Sequence, residues 1–471
     1  MTRQFITSRR QLLQTAGCGF GGLALHGLLA QSADASLALA SRPPMMRARA
    51  RRVIFIFMQG GPSHVDSFDH KPKLIRSDGR SIDFKGVRFG TFGKMSQRTL
   101  MKPLWRFRQY GDCGQHVSEL FPCIGEHVDD LCFLHGMHTE GVAHGPATLF
   151  LHTGATNLLR PSLGAWLTYG LGTENQDLPG FITLQPSNMN GGPRNYSNAF
   201  LPDVYQGTAI GRSNTPSSQV TIPHMVSSSD ETVSQRQFDL LRQLNYRQLQ
   251  RRSGVDNRLN AVIESFELAW KMQSRAPEVL DLSTESAATQ ALYGIGEEPT
   301  DQFGRQCLLG RRLSEAGVRF VQINYADETS TPRWDQHTNM PEHLAHARAS
   351  DRPVAGLLAD LKQRGLLEDT LVWWGGEFGR TPFSQGQDGR DHNPRGFTVF
   401  LAGGGIKPGI SWGTTDDIGH VAVEGKVHMH DLHATILHQL GIDHERLTYR
   451  YAGREFRLTD VYGRVVKQIL A

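Results

Sequence analysis

Residues 370–409 read TLVWWGGEFGRTPFSQGQDGRDHNPRGFTVFLAGGGIKPG, and this stretch decides the fold. A short apolar run, Leu371 to Trp374, stops at Gly375-Gly376, and a second, Phe397 to Ala402, follows after a polar, glycine-rich interval. Apolar runs of this length without alternation fit strands buried on both faces. Ligands of open α/β sheets bind beyond the carboxyl ends of such strands. The interval between the runs is therefore expected to be a loop carrying a site. It holds Glu377, Arg380, Asp391 and His392. A carboxylate, a guanidinium and an imidazole on one loop point to a metal or an anionic substrate, and the bland alternative is a solvated loop with a structural Glu–Arg pair.

The same pattern recurs upstream. Val53 to Met58 (VIFIFM) runs into QGGPSHVDSFD, which places His64, Asp66 and Asp69 just past a Gly-Gly strand end. Asp130 to Gly136 is a strand candidate leading to His138 and to His144-Gly145-Pro146, where the proline suits a helix start. Val318 to Tyr325 is another strand, with Trp334-Asp335-Gln336-His337 beyond it. Between them, 179–229 is rich in Gly, Pro, Ser and Asn and is expected to form loops. Residues 232–296 carry apolar positions at helical spacing, with Arg236, Arg242, Arg247, Arg251 and Arg252 on the remaining, solvated positions. A helix with Pro353 in its first turn ends at Gly365, and Asp431 caps a last helix ending at Gly441. The expected architecture is α/β: a doubly wound, mostly parallel sheet flanked by helices, with a loop-rich and helical insertion at about 180–300.

Composition is that of a globular protein, with 471 residues, 39% hydrophobic and 20% charged. The net charge is +4, and leaving out residues 1–40 removes three arginines and one aspartate, so that +2 remains. That excludes a basic nucleic-acid footprint. Residues 1–40 resemble an export signal: Ser8-Arg9-Arg10-Gln11-Leu12-Leu13 is a twin-arginine pattern, a glycine-rich apolar region follows, and Ala38-Leu39-Ala40 is a cleavage site. The mature chain is then 41–471, periplasmic or extracellular, with no membrane span. Cys18 lies in the leader. Cys113, Cys123, Cys132 and Cys307 show no CxxC spacing and fit one disulfide or buried thiols equally.

Taken together, the motifs MQGGPSHVDSFD, WDQHTN, PVAGLLADLKQRGLLEDTLVWWGGEFGRTP, GRDHNPRG and HDLHATILHQLG resemble the exported bacterial family DUF1501, within the alkaline phosphatase/sulfatase superfamily. The resemblance covers nearly the whole chain. It implies an alkaline-phosphatase/sulfatase-like fold, one or two divalent ions (zinc, calcium or manganese), and an attack on phosphorus or sulfur. Carried over, Asp335 and His337 match an Asp/His ligand pair and His392 the final His ligand. Glu377 stands at an Asp position with Phe378 where its partner His belongs. The first-strand carboxylate position falls near Gln59, so His64 or Asp66 has to substitute. HGPATLFLHTG (144–154) resembles the sulfatase signature C-x-P-S-R-x-x-L-x-T-G, with His144 in the nucleophile's place and Thr148 in that of the arginine. His144 is then a metal ligand, a general acid/base or a phosphorylated group. The neutral, ligand-like form is preferred, because a helix N-terminus disfavours an imidazolium. Arg380 is expected to hold a substrate oxygen through its forked donors. The expected function is an exported metal-dependent hydrolase of small anionic esters or sulfated or phosphorylated glycans. The alternative is a non-catalytic binding protein that kept the fold.

Overall fold

The computed structural model describes residues 39–83, 97–220, 231–251 and 257–471. Residues 1–38, where the sequence suggests an export signal, lie outside these residues. Among the described residues no helix is long and apolar enough to cross a membrane.

The run VIFIFM becomes the middle of the sheet as β1 (Arg52–Met58). The other strands used here are β2 (Leu131–His138), β3 (Phe181–Leu184), β4 (Thr208–Ile210), β5 (Phe320–Tyr325), β6 (Thr370–Gly375), β7 (Gly379–Gln385), β8 (Gly389–Asn393), β9 (Phe397–Ala402), β10 (Ile410–Trp412) and β11 (Val427–His428). The helices are α1 (His64–Ser67), α2 (His144–Thr153), α3 (Leu163–Leu171), α4 (Glu231–Arg251), α5 (Asn257–Leu280), α6 (Asp301–Glu315), α7 (His343–Gln363) and α8 (Met429–Gln439). Nine strands form the main sheet in the order β10-β2-β9-β6-β1-β5-β3-β4, with β11 beside β2. β9 alone runs against its neighbours β6 and β2, and the other pairings are parallel.

Both faces of β1 are covered, and its side chains divide by parity. Ile54, Ile56 and Met58 enter one core with residues of α6 and α7. Val53, Phe55 and Phe57 enter the other with residues of α2, α3 and α8. This division is what a two-residue period under two helical layers requires. Phe55 stacks on Trp373 with ring centroids 3.7 Å apart. Truncating such a buried ring to alanine costs about 3–5 kcal/mol.

Four expectations are corrected. The stretch 179–229 is not all loop, since β3 and β4 extend the sheet edge. Both are too short to show a period, yet Ile182 and Leu184 are fully buried. Pro353 is not in the first turn of α7: the helix starts at His343 and the proline sits inside it. The missing N–H is tolerated because Ala347, Ser350, Val354 and Leu357 line a buried face. The interval 377–393 is not an open loop but a buried two-stranded hairpin, β7–β8. Asp431 is the third residue of α8 rather than its cap. His428 is the N-cap, and the two close a reciprocal capping box. The described cysteines are free thiols, and Cys132 and Cys307 are buried.

Candidate metal centre

The ends of β1, β2, β5 and β6 deliver one cluster. Gly60 and Gly61 end β1 at φ +109° and +74°, a region that favours glycine. A Cβ on Gly60 would lie 2.7 Å from the Trp334 nitrogen and 2.9 Å from that of Asp335. The absent side chain lets the loop after β5 close over β1, and this sets Asp335. His144 is the first residue of α2, after Ala143 in extended conformation. In the hairpin, Arg380 pairs with His392 across the ladder, so one register brings both to Asp335.

His144, Asp335, His337 and His392 each offer a ligand atom, and these atoms lie within 4.8 Å of one another. Each imidazole is oriented from behind through Nδ1. His144 Nδ1–H donates to Glu377 Oε1 at 2.6 Å, His337 Nδ1–H to Gln385 Oε1 at 2.5 Å, and His392 Nδ1–H to the Val142 carbonyl at 2.7 Å. Glu377 is itself held by the Gly60 N–H, 3.1 Å from either oxygen. Fixing Nδ1 as donor leaves Nε2 with a lone pair, which is how outer partners aim histidine ligands. The Nε2 atoms of His337 and His392 lie 3.0 and 3.1 Å from Asp335 Oδ1, and that of His144 lies 3.1 Å from Oδ2. His337 and His392 bring their Nε2 atoms to 2.9 Å. Two lone pairs at that distance need a proton or a cation between them. His144 Nε2 is buried without a hydrogen-bond partner. Three imidazoles and a carboxylate are a fitting donor set for a divalent transition ion.

Burial by itself raises the Asp335 pKa, but the neighbouring His144, His337 and His392 and the Arg380 charge outweigh it and hold the carboxyl well below the usual range. Burial lowers the His392 pKa to about 4 against the pull of Asp335, so this imidazole is neutral at pH 7. His144 behaves differently. Burial pulls it down, yet the carboxylates of Asp335, 3.1 Å from Nε2, and of Glu377, bonded to Nδ1, win and raise it. The two carboxylates thus act on His144 in the opposite direction to the dipole of the helix N-terminus.

Other expected site residues lie elsewhere or are otherwise engaged. Arg380 is fully buried and spends four of its five N–H groups on protein: Nε on Gly61 O, Nη1 on Arg390 O, and Nη2 on Asp335 Oδ1 and Gly60 O. It does not present a fork to an incoming anion. It neutralises Asp335 from within. Asp66 is bound to Arg390, with Nε–Oδ2 at 2.6 Å, and stands outside the cluster. His64 gives its Nε2 proton to Gly419 O at 2.7 Å, and burial lowers its pKa. Asp391 flanks the cluster, its Oδ1 at 3.9 Å from His337 Nδ1 and its Oδ2 without a partner. Two contributors escaped the sequence reading. Gln385 is an amide with no motif around it, and Val142 acts through a carbonyl that any residue has. Phe378, in a partner histidine's place, walls the site with its ring centroid 4.4 Å from that of His392 and 5.0 Å from that of His144.

No curated sequence relative matches the chain. Among solved structures it is similar to Ps i-CgsB in complex with k-i-k-neocarrahexaose (TM-score 0.39, 13% identity, covering 83% of this chain and 72% of that one). It is also similar to the PsFucS1 sulfatase from Pseudoalteromonas sp. (TM-score 0.35, 13% identity, 94% and 75% covered). A third is a protein of the alkaline phosphatase superfamily from Vibrio parahaemolyticus (TM-score 0.37, 11% identity, 88% and 74% covered). At these identities and TM-scores the likenesses carry no chemistry over to this chain. Residues 50–470 match the family described as "Protein of unknown function (DUF1501)", and the chain belongs to that family.

Proposed function

We propose that the protein is a metal-dependent hydrolase of sulfate or phosphate esters, working on a small anionic ester or a sulfated or phosphorylated glycan. The observation that carries this reading is the set of three imidazoles, each oriented through Nδ1 and aimed with Asp335 at one point. A divalent ion held there supplies Lewis acidity toward an ester oxygen and an activated water. Three nitrogen donors favour zinc over calcium and manganese, which suit oxygen ligands. Four ligand atoms around one point make room for one ion. Glu377 holds His144 in register, Gln385 holds His337, and Arg380 offsets the charge of Asp335. His337 is the most exposed of the four, with its side chain 25% accessible against 9% or less for the others, so substrate approaches on its side. In this reading the protein acts after twin-arginine export, with 1–40 as signal and 41–471 as the working domain.

A second reading is a binding protein on a related frame. It is favoured by His144 in the place of a hydroxyl or thiol nucleophile and by an Arg380 with its fork turned inward. Metal analysis of the purified protein, combined with aryl-sulfate and aryl-phosphate hydrolysis by wild type and His392→Ala, separates the two. Metal-dependent turnover lost in the variant supports the hydrolase. One bound ion per chain with no turnover of either ester supports the binding protein. No bound metal removes both.

A further inference from the structure

We propose that the α4–α5 hairpin is a docking surface for an anionic lipid bilayer. α4 rests on α5 through Phe238, which stacks on Trp270 at 4.7 Å between centroids and 10° between planes. Val233, Leu240, Leu241 and Leu244 look outward. They recur at i, i+7, i+8 and i+11, which is one face of a helix. Phe266 of α5 continues that face across a groove of about 300 Å³ lined by Leu241 and Arg242. These five apolar side chains are 45–62% exposed, a contiguous patch of the kind that marks an interaction site.

Charge decides what covers the patch. Arg236 and Arg247 fall at i+3 and i+14 from Val233, on one border of the strip, and Arg242, at i+9, lies on the opposite side of α4 and lines the groove. All three are exposed, and among the described residues none is in an ion pair. Asp239 lies on the far side of α4, and Glu267 sits inside the groove. An apolar strip edged by unpaired arginines complements a bilayer interface, where leucine and phenylalanine enter the acyl boundary and arginines meet anionic headgroups. A second copy fits less well. Two-fold pairing through this strip sets the arginines of one copy against those of the other. The surface is independent of the metal centre and of its chemistry.

The test is cosedimentation of the full chain with phosphatidylcholine vesicles, with and without about one-third phosphatidylglycerol. The expected result is binding to the anionic vesicles that falls about tenfold without phosphatidylglycerol or in high salt. Leu240→Ser/Leu244→Ser and Arg236→Gln/Arg247→Gln should each weaken it about tenfold, with thermal unfolding and bound metal unchanged to show that the variants are folded. No vesicle binding by wild type, or binding untouched in both double variants, overturns the proposal. So does a dimer in the absence of lipid that Leu240→Ser/Leu244→Ser abolishes, which would give the surface to a second copy.

Discussion

Asp66 and Asp335 are both buried carboxylates just past strand ends, and the sequence marks both as site candidates. Their surroundings differ in kind. Asp66 faces Arg390, and that guanidinium spends all five N–H groups on Asp66 and on the carbonyls of Met101, Lys102 and Thr381. Ser63 Oγ and the Leu104 N–H complete the carboxylate. Nothing is left over to bind anything. Asp335 has one cation, Arg380, and then three imidazole nitrogens that the outer partners have turned into acceptors. Acceptors converging on a carboxylate are stable only with a positive species among them. A satisfied ion pair marks structure, and a convergent set of acceptors marks a place for a ligand.

The largest effect expected from this contrast is on stability. Arg390→Ala leaves Asp66 without a cation in the core and should cost about 3–5 kcal/mol in urea unfolding, while the fraction still folded keeps its full complement of metal. A loss below about 1 kcal/mol would mean that the pair is dispensable and the contrast is false.

Asp351 sharpens the comparison as a third buried carboxylate, given two N–H donors, from Cys123 and Ile124, and no hydrogen-bonded cation. Burial pushes its pKa up from the usual 3.8 to about 6. Below pH 3.8 it is protonated folded and unfolded. Between there and about 6 only the folded state keeps the proton, so its contribution to stability is lost as pH rises, by up to roughly 3 kcal/mol. Asp351→Asn should flatten the wild-type stability profile across that window. A profile identical to wild type would refute the assignment.

Metal should then stabilise one constellation and not the other. At about 100 times the dissociation constant, zinc should add about 2.7 kcal/mol to wild type and nothing to His392→Ala, read as thermal shifts against a chelator control. Equal midpoints with zinc and with chelator would show that the nitrogens at Asp335 are not a metal site. The smallest effect belongs to the outer partner. Glu377→Gln keeps the shape but weakens the hold on His144, and metal affinity should fall about 10–100-fold in a chelator competition.

How much of this was legible in the sequence follows from which properties are local. β1, β6 and β9 show as unbroken apolar runs because burial on both faces leaves no polar position. The strand ends show because glycines sit where the chain must turn. The short β3 and β4 have no period to detect, and Pro353 misleads because a long buried face can carry one missing hydrogen bond. For the site, residue type flagged Asp335, His337, His392 and His144, but it flagged His64, Asp66 and Arg380 just as strongly. Nothing in a motif says whether a charged side chain has already found its partner.

The chain by itself determined the layered α/β sheet, the family and the strand ends where polar groups gather, since hydrophobic runs and turn residues act over a few neighbours. The tertiary structure alone decided that Arg390, 324 residues away in sequence, closes off Asp66. It alone decided that the β7–β8 register sets Arg380 beside His392, and that Glu377, Gln385 and a backbone carbonyl turn three Nε2 lone pairs toward one point. Partner choice and side-chain direction depend on contacts between distant segments, and these exist only once the chain has folded.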